Sequence, residues 1–93
     1  MKKGIKYKCV YTSGGGTEYD EGQWEIITLT DKTMIIEKTS ERSVYGNYEK
    51  GEKIKCAKGN GNPIEDWGDN SFTIYPGQSG TPYYFSPESW GIK

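Results

Sequence analysis

Residues 23–38 have the sequence QWEIITLTDKTMIIEK, and this stretch decides the fold that we predict. It is the densest run of β-branched and aromatic residues in the chain, and these residue types are enriched in strands. Two apolar runs, residues 24–29 and 34–36, flank a polar segment at residues 30–33. This arrangement predicts a β-hairpin with a type I turn, in which Asp31 bonds to its own backbone.

The composition of the whole chain also favours strands over helices. Eight tyrosines, three tryptophans and two phenylalanines supply much of the apolar volume, with only one leucine and one alanine. Thirteen glycines and four prolines are enough to form many turns. A chain this short buries only about 60–65% of its unfolded surface, so we expect one domain with a thin core.

Alternation of apolar and polar residues predicts further strands around the hairpin. They are expected at residues 4–12, 52–58, 72–75 and 81–85. Residues 17–22 are expected to be a connector, and residues 39–50 fit a loop, a short strand or a helical turn equally well. The chain is therefore predicted to be all-β: a single small antiparallel barrel or sandwich of about six short strands over residues 1–85, followed by a C-terminal tail at residues 86–93.

The two halves of the chain resemble each other. Residues 6–10 (KYKCV) are similar to residues 53–57 (KIKCA), and a glycine-rich segment follows each of them. Two pseudo-repeated three-stranded units would explain the similarity. Chance similarity between lysine-rich strands explains it equally well.

Charge argues against several classes of partner. Twelve basic and 13 acidic residues give a net charge of −1, which offers no basic surface for nucleic acid and no polybasic membrane anchor. No apolar run approaches the length of a membrane span, and no apolar segment follows the N-terminal lysines as it would in a signal peptide. We therefore expect a cytoplasmic protein.

The chain contains no histidine, so the usual general base near neutral pH is missing and we expect no enzyme activity. Cys9 and Cys56 are expected to be buried free thiols, with one disulfide as the alternative. Two cysteines without histidine argue against a zinc site. The acidic pairs at residues 20–21 and 65–66 are expected to be solvated, and the Asn and Asp residues of 60–70 to form turns rather than a calcium site. We expect no metal and no cofactor.

Aromatic residues towards the C-terminal end give the strongest indication of function. The candidate binding residues are Trp67, Tyr75, Tyr83, Tyr84 and Trp90. Successive side chains of a strand point to opposite faces, so at least one ring of residues 83–85 is expected to face outward. Exposed tyrosine and tryptophan side chains are typical of binding surfaces. A tyrosine-rich core with solvated hydroxyls is the alternative.

The first strand of the hairpin has apolar residues on both of its predicted faces. Trp24, Ile26 and Thr28 share one face, and Ile27 and Leu29 occupy the other. Such a strand is either covered on both sides or has an outer face that awaits a partner. A second copy of the chain is one such partner, so a homo-oligomer remains an alternative to a monomer.

Gly22-Gln23-Trp24 has the Gly-x-Trp form found near the first strand of lipocalins, and residues 24–36 resemble a hairpin of small bacterial lipocalin-like domains. The resemblance implies that Trp24 packs at the closed end of a barrel. A strand is expected before Gly22, and too little chain follows for the eight strands of that family. The resemblance therefore does not imply the family's ligand cavity.

These observations together predict a non-enzymatic binding module that recognises a partner protein through an aromatic patch or a sheet edge. An accessory or inhibitor protein of a phage or bacterium would fit this description. The first alternative is a barrel that binds a small ligand or glycan through Trp67, Tyr83, Tyr84 and Trp90. The second is a single-stranded nucleic-acid binder, because residues 6–8 combine charge with an aromatic ring. The net charge makes nucleic acid the less expected partner.

Overall fold

The computed structural model describes residues 2–12, 15–57, 64–76 and 81–88 of the 93-residue chain. The strands in these ranges are β1 (Lys6–Thr12), β2 (Glu18–Leu29), β3 (Thr33–Lys38), β4 (Lys53–Ala57), β5 (Ile64–Asp66), β6 (Phe72–Ile74) and β7 (Tyr83–Pro87). They pair antiparallel in the order β4-β3-β2-β1-β7-β6-β5 and curl into a nearly closed barrel. The prediction of a small all-β antiparallel domain is confirmed.

The described ranges hold seven strands, where the sequence predicts about six. The added strand is β5, whose three residues are too few to show an alternating pattern. The connector expected at residues 17–22 is wrong, because β2 begins at Glu18 and its polar first half pairs with the end of β1. β7 continues through Ser86 and Pro87, which are the first two residues of the expected tail.

Two three-stranded meanders make up most of the sheet. β1, β2 and β3 form the first, and β5, β6 and β7 form the second; they join through the pairing of β1 with β7. β4 extends the first meander beyond β3. The similarity between residues 6–10 and 53–57 therefore does not mark equivalent positions, because β1 pairs with the strand that follows it and β4 with the strand that precedes it.

β2 and β3 form the predicted hairpin, but its turn is held by Thr30 and not by Asp31. The Thr30 hydroxyl accepts hydrogen bonds from the backbone amides of Thr33 (3.0 Å) and Lys32 (3.3 Å). The Thr30 amide donates to the Thr33 carbonyl at 2.8 Å. The role expected for Asp31 is wrong, because the preceding hydroxyl already satisfies these amides.

The core is one cluster of alternate side chains from six of the strands. Its buried members are Tyr7, Cys9, Trp24, Ile26, Met34, Ile36, Ile54, Cys56, Phe72, Ile74, Tyr83 and Phe85. Aromatic and branched side chains, together with two cysteines and one methionine, thus pack against each other in the described interior. Cys9 and Cys56 are both buried and free, as the sequence predicts.

A β-bulge in the second half of β2 changes which of its side chains face the core. The register with β3 shifts between Ile26 and Thr28, which makes Ile27 the extra residue. Leu29 then returns to the inner side, where it lies opposite Met34 and packs against the core. The expectation that Ile27 and Leu29 share an outer face is therefore wrong.

Thr30→Ala is expected to lower the free energy of unfolding by about 0.5–1 kcal/mol, because two turn amides lose their acceptor. Urea titration followed by tryptophan fluorescence measures the change. Thr30→Ser keeps the hydroxyl and should retain the stability, and Asp31→Ala is the control at the neighbouring position. An equal loss in Thr30→Ala and Asp31→Ala would show that the turn does not depend on the Thr30 hydroxyl.

Candidate functional site

A β-bulge in the first half of β2 turns the Glu21 side chain into the barrel. The register between β1 and β2 shifts so that Glu21 is the extra residue between Asp20 and Gly22. Gly22 has a φ of 87°, which other residues rarely adopt, and a Cβ there would lie 2.4 Å from the Ser40 hydroxyl oxygen. The bulge therefore requires glycine at this position.

Glu21 and Lys38 form an ion pair in which both side chains are 0% exposed. The distance between Lys38 Nζ and Glu21 Oε2 is 3.2 Å. Lys38 points inward because it continues the alternation of Met34 and Ile36 along β3. The expectation that Glu21 is solvated is wrong, because an inward carboxylate at the bulge meets this lysine.

The ion pair also binds the backbone of the segment between β3 and β4, residues 39–52, hereafter the capping loop. The Glu21 carboxylate accepts hydrogen bonds from the amide of Asn47 (2.9 and 3.1 Å) and from that of Tyr48 (3.3 Å). Lys38 Nζ donates to the Tyr48 carbonyl at 2.8 Å. Buried charges require partners of this kind. The pair therefore fixes the capping loop at the end of the barrel where β3 finishes and β4 begins.

The tip of the capping loop is a tight turn at residues 43–46. The Gly46 amide donates to the Ser43 carbonyl at 2.9 Å, and Arg42 Nε donates to the Gly46 carbonyl at 3.1 Å. Val44 and Tyr45 stand at the centre of this turn, where they are 90% and 67% exposed. The sequence of residues 39–50 fits a loop, a short strand or a helical turn equally well. In the structure these residues form a loop of successive turns.

Aromatic rings form a continuous row from this tip through the barrel. Neighbouring ring centroids are 4.8–6.0 Å apart. The order is Tyr45, Tyr19, Tyr11, Tyr83, Tyr48, Trp24, Phe85, Phe72 and Tyr7. Burial raises the pKa of Tyr48 to about 12, so its hydroxyl stays protonated at any physiological pH. The row therefore runs from the exposed ring of Tyr45 at the tip into the buried core of the barrel.

The structure separates the candidate residues Tyr83 and Tyr84. Tyr83 is buried, its ring stacks on Tyr11 at 5.1 Å, and its hydroxyl accepts a hydrogen bond from Asn47 Nδ2 at 2.9 Å. Tyr84 faces outward and is 36% exposed, which confirms that one ring of residues 83–85 points away from the core. Trp90 lies outside the described residues.

Trp67, Tyr75 and Tyr84 lie on the outer side of β5, β6 and β7, and we name them the outer aromatic surface. Thr73 pairs with Tyr84 on one side and with Glu65 on the other. Trp67 is 55% exposed, and its Nε1 donates to the Thr73 hydroxyl at 2.9 Å. The Tyr75 hydroxyl donates to Glu65 at 2.6 Å, and this bond raises the pKa of Tyr75. Hydrogen bonds to the sheet therefore hold the Trp67 and Tyr75 rings.

The acidic residues around Trp67 build the turn that carries it. Asp66 accepts a hydrogen bond from the amide of Gly68 (2.9 Å), and Asp69 accepts one from the amide of Ser71 (3.1 Å). The hydrogen bonds from Ser71 lower the pKa of Asp69. These two residues form turns, as the sequence predicts. Among the residues that the structure describes, no group of three or more Cys, Asp or Glu side chains is placed to hold a metal ion.

A polar groove of about 700 Å³ lies beside the capping loop. Its lining includes Lys8, Gln23, Ser40 and Glu88, and Gln23 Nε2 donates to Glu88 Oε1 at 3.1 Å. None of the described aromatic residues lines the groove, so it does not coincide with the outer aromatic surface.

Comparison of the chain with models of protein families, with curated proteins and with solved structures finds no match. The resemblance of residues 22–36 to lipocalin-like domains therefore remains a prediction. Trp24 is fully buried, and its Nε1 donates to the Glu21 backbone carbonyl at 3.1 Å. Within the described ranges, no helix could reach across a lipid bilayer.

Lys38→Met is expected to lower the free energy of unfolding by about 3 kcal/mol, because the Glu21 carboxylate stays buried without its counter-ion. Urea titration measures the loss. Adding Glu21→Gln should restore part of it, since the neutral amide still offers an oxygen to the Asn47 backbone.

Lys50→Met is the matched control, because Lys50 is 59% exposed and lies 3.8 Å from Glu41 in a surface ion pair. Surface pairs contribute little, so we expect no measurable change. Equal losses in Lys38→Met and Lys50→Met would contradict a special role for the buried pair.

Proposed function

We propose that this protein is a non-enzymatic binding module that recognises a partner protein through the outer aromatic surface. The proposal depends on one observation: the Trp67 side chain is 55% exposed, and its position is nevertheless fixed by a hydrogen bond to Thr73 at 2.9 Å. A large ring that is already held in place loses little conformational freedom on binding. Tryptophan and tyrosine are also the residues that most often dominate the energy of protein interfaces.

The scaffold beneath the outer aromatic surface supports this proposal. Thr73 and Tyr84 are cross-strand partners within the sheet, so the β6 and β7 backbones fix their separation. Asp66 and Asp69 hold the turn on which Trp67 stands. The surface therefore has its binding geometry before a partner arrives.

The polar groups beside the rings favour a protein over a glycan. A glycan site uses free carboxylates and hydroxyls as partners for sugar hydroxyls. Here Asp66 and Asp69 accept hydrogen bonds from turn amides, and the Tyr75 hydroxyl is bonded to Glu65. The outer aromatic surface therefore presents mainly the faces of its aromatic rings to a partner. The side chains that fill the described interior likewise favour surface recognition over a ligand cavity of the lipocalin type.

The position of Tyr7 disfavours single-stranded nucleic acid as the partner. Such proteins stack bases on exposed aromatic rings beside basic side chains. Lys6 and Lys8 are exposed, but Tyr7 is fully buried between them and its hydroxyl accepts a hydrogen bond from the Lys2 amide at 2.9 Å. Residues 6–8 therefore offer charge without an exposed ring.

We also propose that the protein is cytoplasmic and non-enzymatic, and the free, buried thiols of both cysteines support this. Cys9 and Cys56 are free, which suits a reducing compartment. Burial raises the pKa of Cys56 to about 11, and burial together with the charge of Glu21 raises that of Cys9 well above its usual value. Neither thiol is therefore a ready nucleophile.

Trp67→Ala and Tyr84→Ala are each expected to reduce capture of the partner at least tenfold, because truncating a dominant interface ring costs roughly 2 kcal/mol or more. Affinity purification from a lysate of the producing cells, with quantitative mass spectrometry, measures the capture. Lys32→Ala, on the exposed turn between β2 and β3, is the control and should leave capture unchanged.

Unchanged capture by both aromatic variants would remove the outer aromatic surface from the proposal. A change in Trp67 fluorescence on titration with a glycan panel, absent in Trp67→Phe, would instead favour the glycan alternative.

A further inference from the structure

The outer aromatic surface runs across the strands of the sheet. Trp67 follows β5, Tyr75 follows β6, and Tyr84 lies on β7. The half-buried Val10 on β1 is the cross-strand neighbour of Tyr84. Because β6 and β7 are each paired on both sides, their backbones hold no open row of amides and carbonyls for a ligand strand. A segment that binds here must therefore lie over the side chains and need no backbone partner along its length.

The three rings offer their faces and one available hydrogen-bond donor. The Trp67 indole nitrogen is bonded to Thr73, and the Tyr75 hydroxyl is bonded to Glu65. The Tyr84 hydroxyl makes no hydrogen bond to the part of the chain that the structure describes, and this side chain is 36% exposed. The surface can therefore pack against apolar rings and donate one hydrogen bond to a carbonyl.

A proline-rich segment in the polyproline II conformation fits both properties. Proline has no amide hydrogen, so such a segment needs no acceptor from the sheet. Its backbone forms no internal hydrogen bonds, which leaves its carbonyls available to a donor such as the Tyr84 hydroxyl. Aromatic side chains are also the surfaces on which proline-rich segments are commonly bound. A helix with apolar anchors would need a concave groove, whereas the outside of a barrel is convex.

The size of the surface also favours such a segment. The exposed parts of the three rings amount to an area on the order of 300 Å². A stable interface between two folded proteins takes roughly 800 Å² from each of them, so a second copy of the chain or another folded domain would need more surface than the rings provide. A polyproline II segment is already ordered before it binds. It therefore loses little conformational entropy and needs less contact area for weak, specific binding.

The charges around the surface favour a basic residue at one end of the segment. Glu65 and Asp69 are exposed on either side of Trp67 in the sequence. Among the ion pairs within the described residues, none involves Glu65. Lys8 is exposed on β1, beyond Tyr84. A cationic side chain is therefore favoured beside Glu65 and disfavoured beside Lys8.

We infer that the outer aromatic surface binds a proline-rich segment of the partner protein in the polyproline II conformation, with a lysine or arginine of that segment beside Glu65. The Trp67 and Tyr75 rings pack against proline rings, and the Tyr84 hydroxyl donates to a carbonyl of the segment. The inference rests on the proposed function and specifies the chemistry of its partner.

The test selects binders to the immobilised full chain from a phage-displayed library of random linear peptides. We expect the enriched peptides to contain prolines at positions i and i+3, which lie on the same side of a polyproline II helix, together with a lysine or arginine. The most enriched peptide is then synthesised, and fluorescence polarisation measures its dissociation constant. Trp67→Ala is expected to raise this constant at least tenfold.

A conservative variant tests the hydrogen bond from Tyr84. Tyr84→Phe keeps the ring and removes the hydroxyl, so it should weaken binding of the selected peptide about threefold to tenfold, which corresponds to one neutral hydrogen bond. Tyr45→Phe is the matched control, because it removes the hydroxyl of an exposed ring on the capping loop. It should leave the dissociation constant unchanged.

A second variant tests the position of the basic residue. Glu65→Gln keeps an oxygen for the Tyr75 hydroxyl and removes the charge. It should weaken binding of the selected peptide, and this effect should disappear when the basic residue of the peptide is replaced by glutamine. An equal effect on both peptides, or no effect on either, would contradict a cation beside Glu65.

The remaining outcomes separate the inference from the proposed function. Enriched peptides without proline, no enriched peptide, or a dissociation constant unchanged by Trp67→Ala or Tyr84→Phe would each overturn the inference. If capture of the partner from a lysate still depends on Trp67 and Tyr84, the proposed function then stands with a partner that is not proline-rich. Capture that is independent of both rings would overturn the proposed function and the inference together.

Discussion

The buried ion pair between Lys38 and Glu21 is the interaction on which the rest of the structure depends. Removing two charges from water costs several kcal/mol per ion, and their attraction offsets this only when their remaining hydrogen-bonding capacity is used. Here the backbone of Asn47 and Tyr48 uses it, through three amide contacts and one carbonyl contact. One placement of the capping loop satisfies all of these groups, so the pair specifies where the loop lies.

Polar contacts to the barrel hold both the capping loop and the outer aromatic surface. The ion pair binds the backbone of Asn47 and Tyr48, and the Thr73 hydroxyl holds the indole of Trp67. An exposed ring that is held in this way loses little conformational freedom on binding, which supports the proposed recognition through the outer aromatic surface.

The sequence predicted the parts of the fold that alternation of residue type controls. The hairpin and the inward direction of Tyr7 and Cys9 follow from a period of two. The burial of Lys38 was not predicted, although it continues the alternation of Met34 and Ile36, because a lysine is rarely buried without a partner. The bulges were not predictable, because the register between strands is set by tertiary pairing. Because the bulge in β2 could not be predicted, the alternation of residue types gave no reason to expect Glu21 inside the barrel.

The candidate site was only partly predictable for the same reason. Alternation required one of Tyr83 and Tyr84 to face outward, but the pairing of β7 with β1 decides which. The short strand β5 and the fixed turn at Val44 and Tyr45 carry no periodic signal. β5 exists through its pairing with β6, and the turn is held by bonds within the capping loop together with the bond from Tyr11, so neither follows from a pattern within the segment itself.

Hydrogen exchange at the amides of Asn47 and Tyr48 tests the central claim most directly. These amides lie in a loop, and their acceptor among the described residues is the buried Glu21 carboxylate. We predict that they exchange as slowly as the strand amides of β2 and β3, through unfolding of the whole domain. Exchange at rates typical of an open loop would contradict the account.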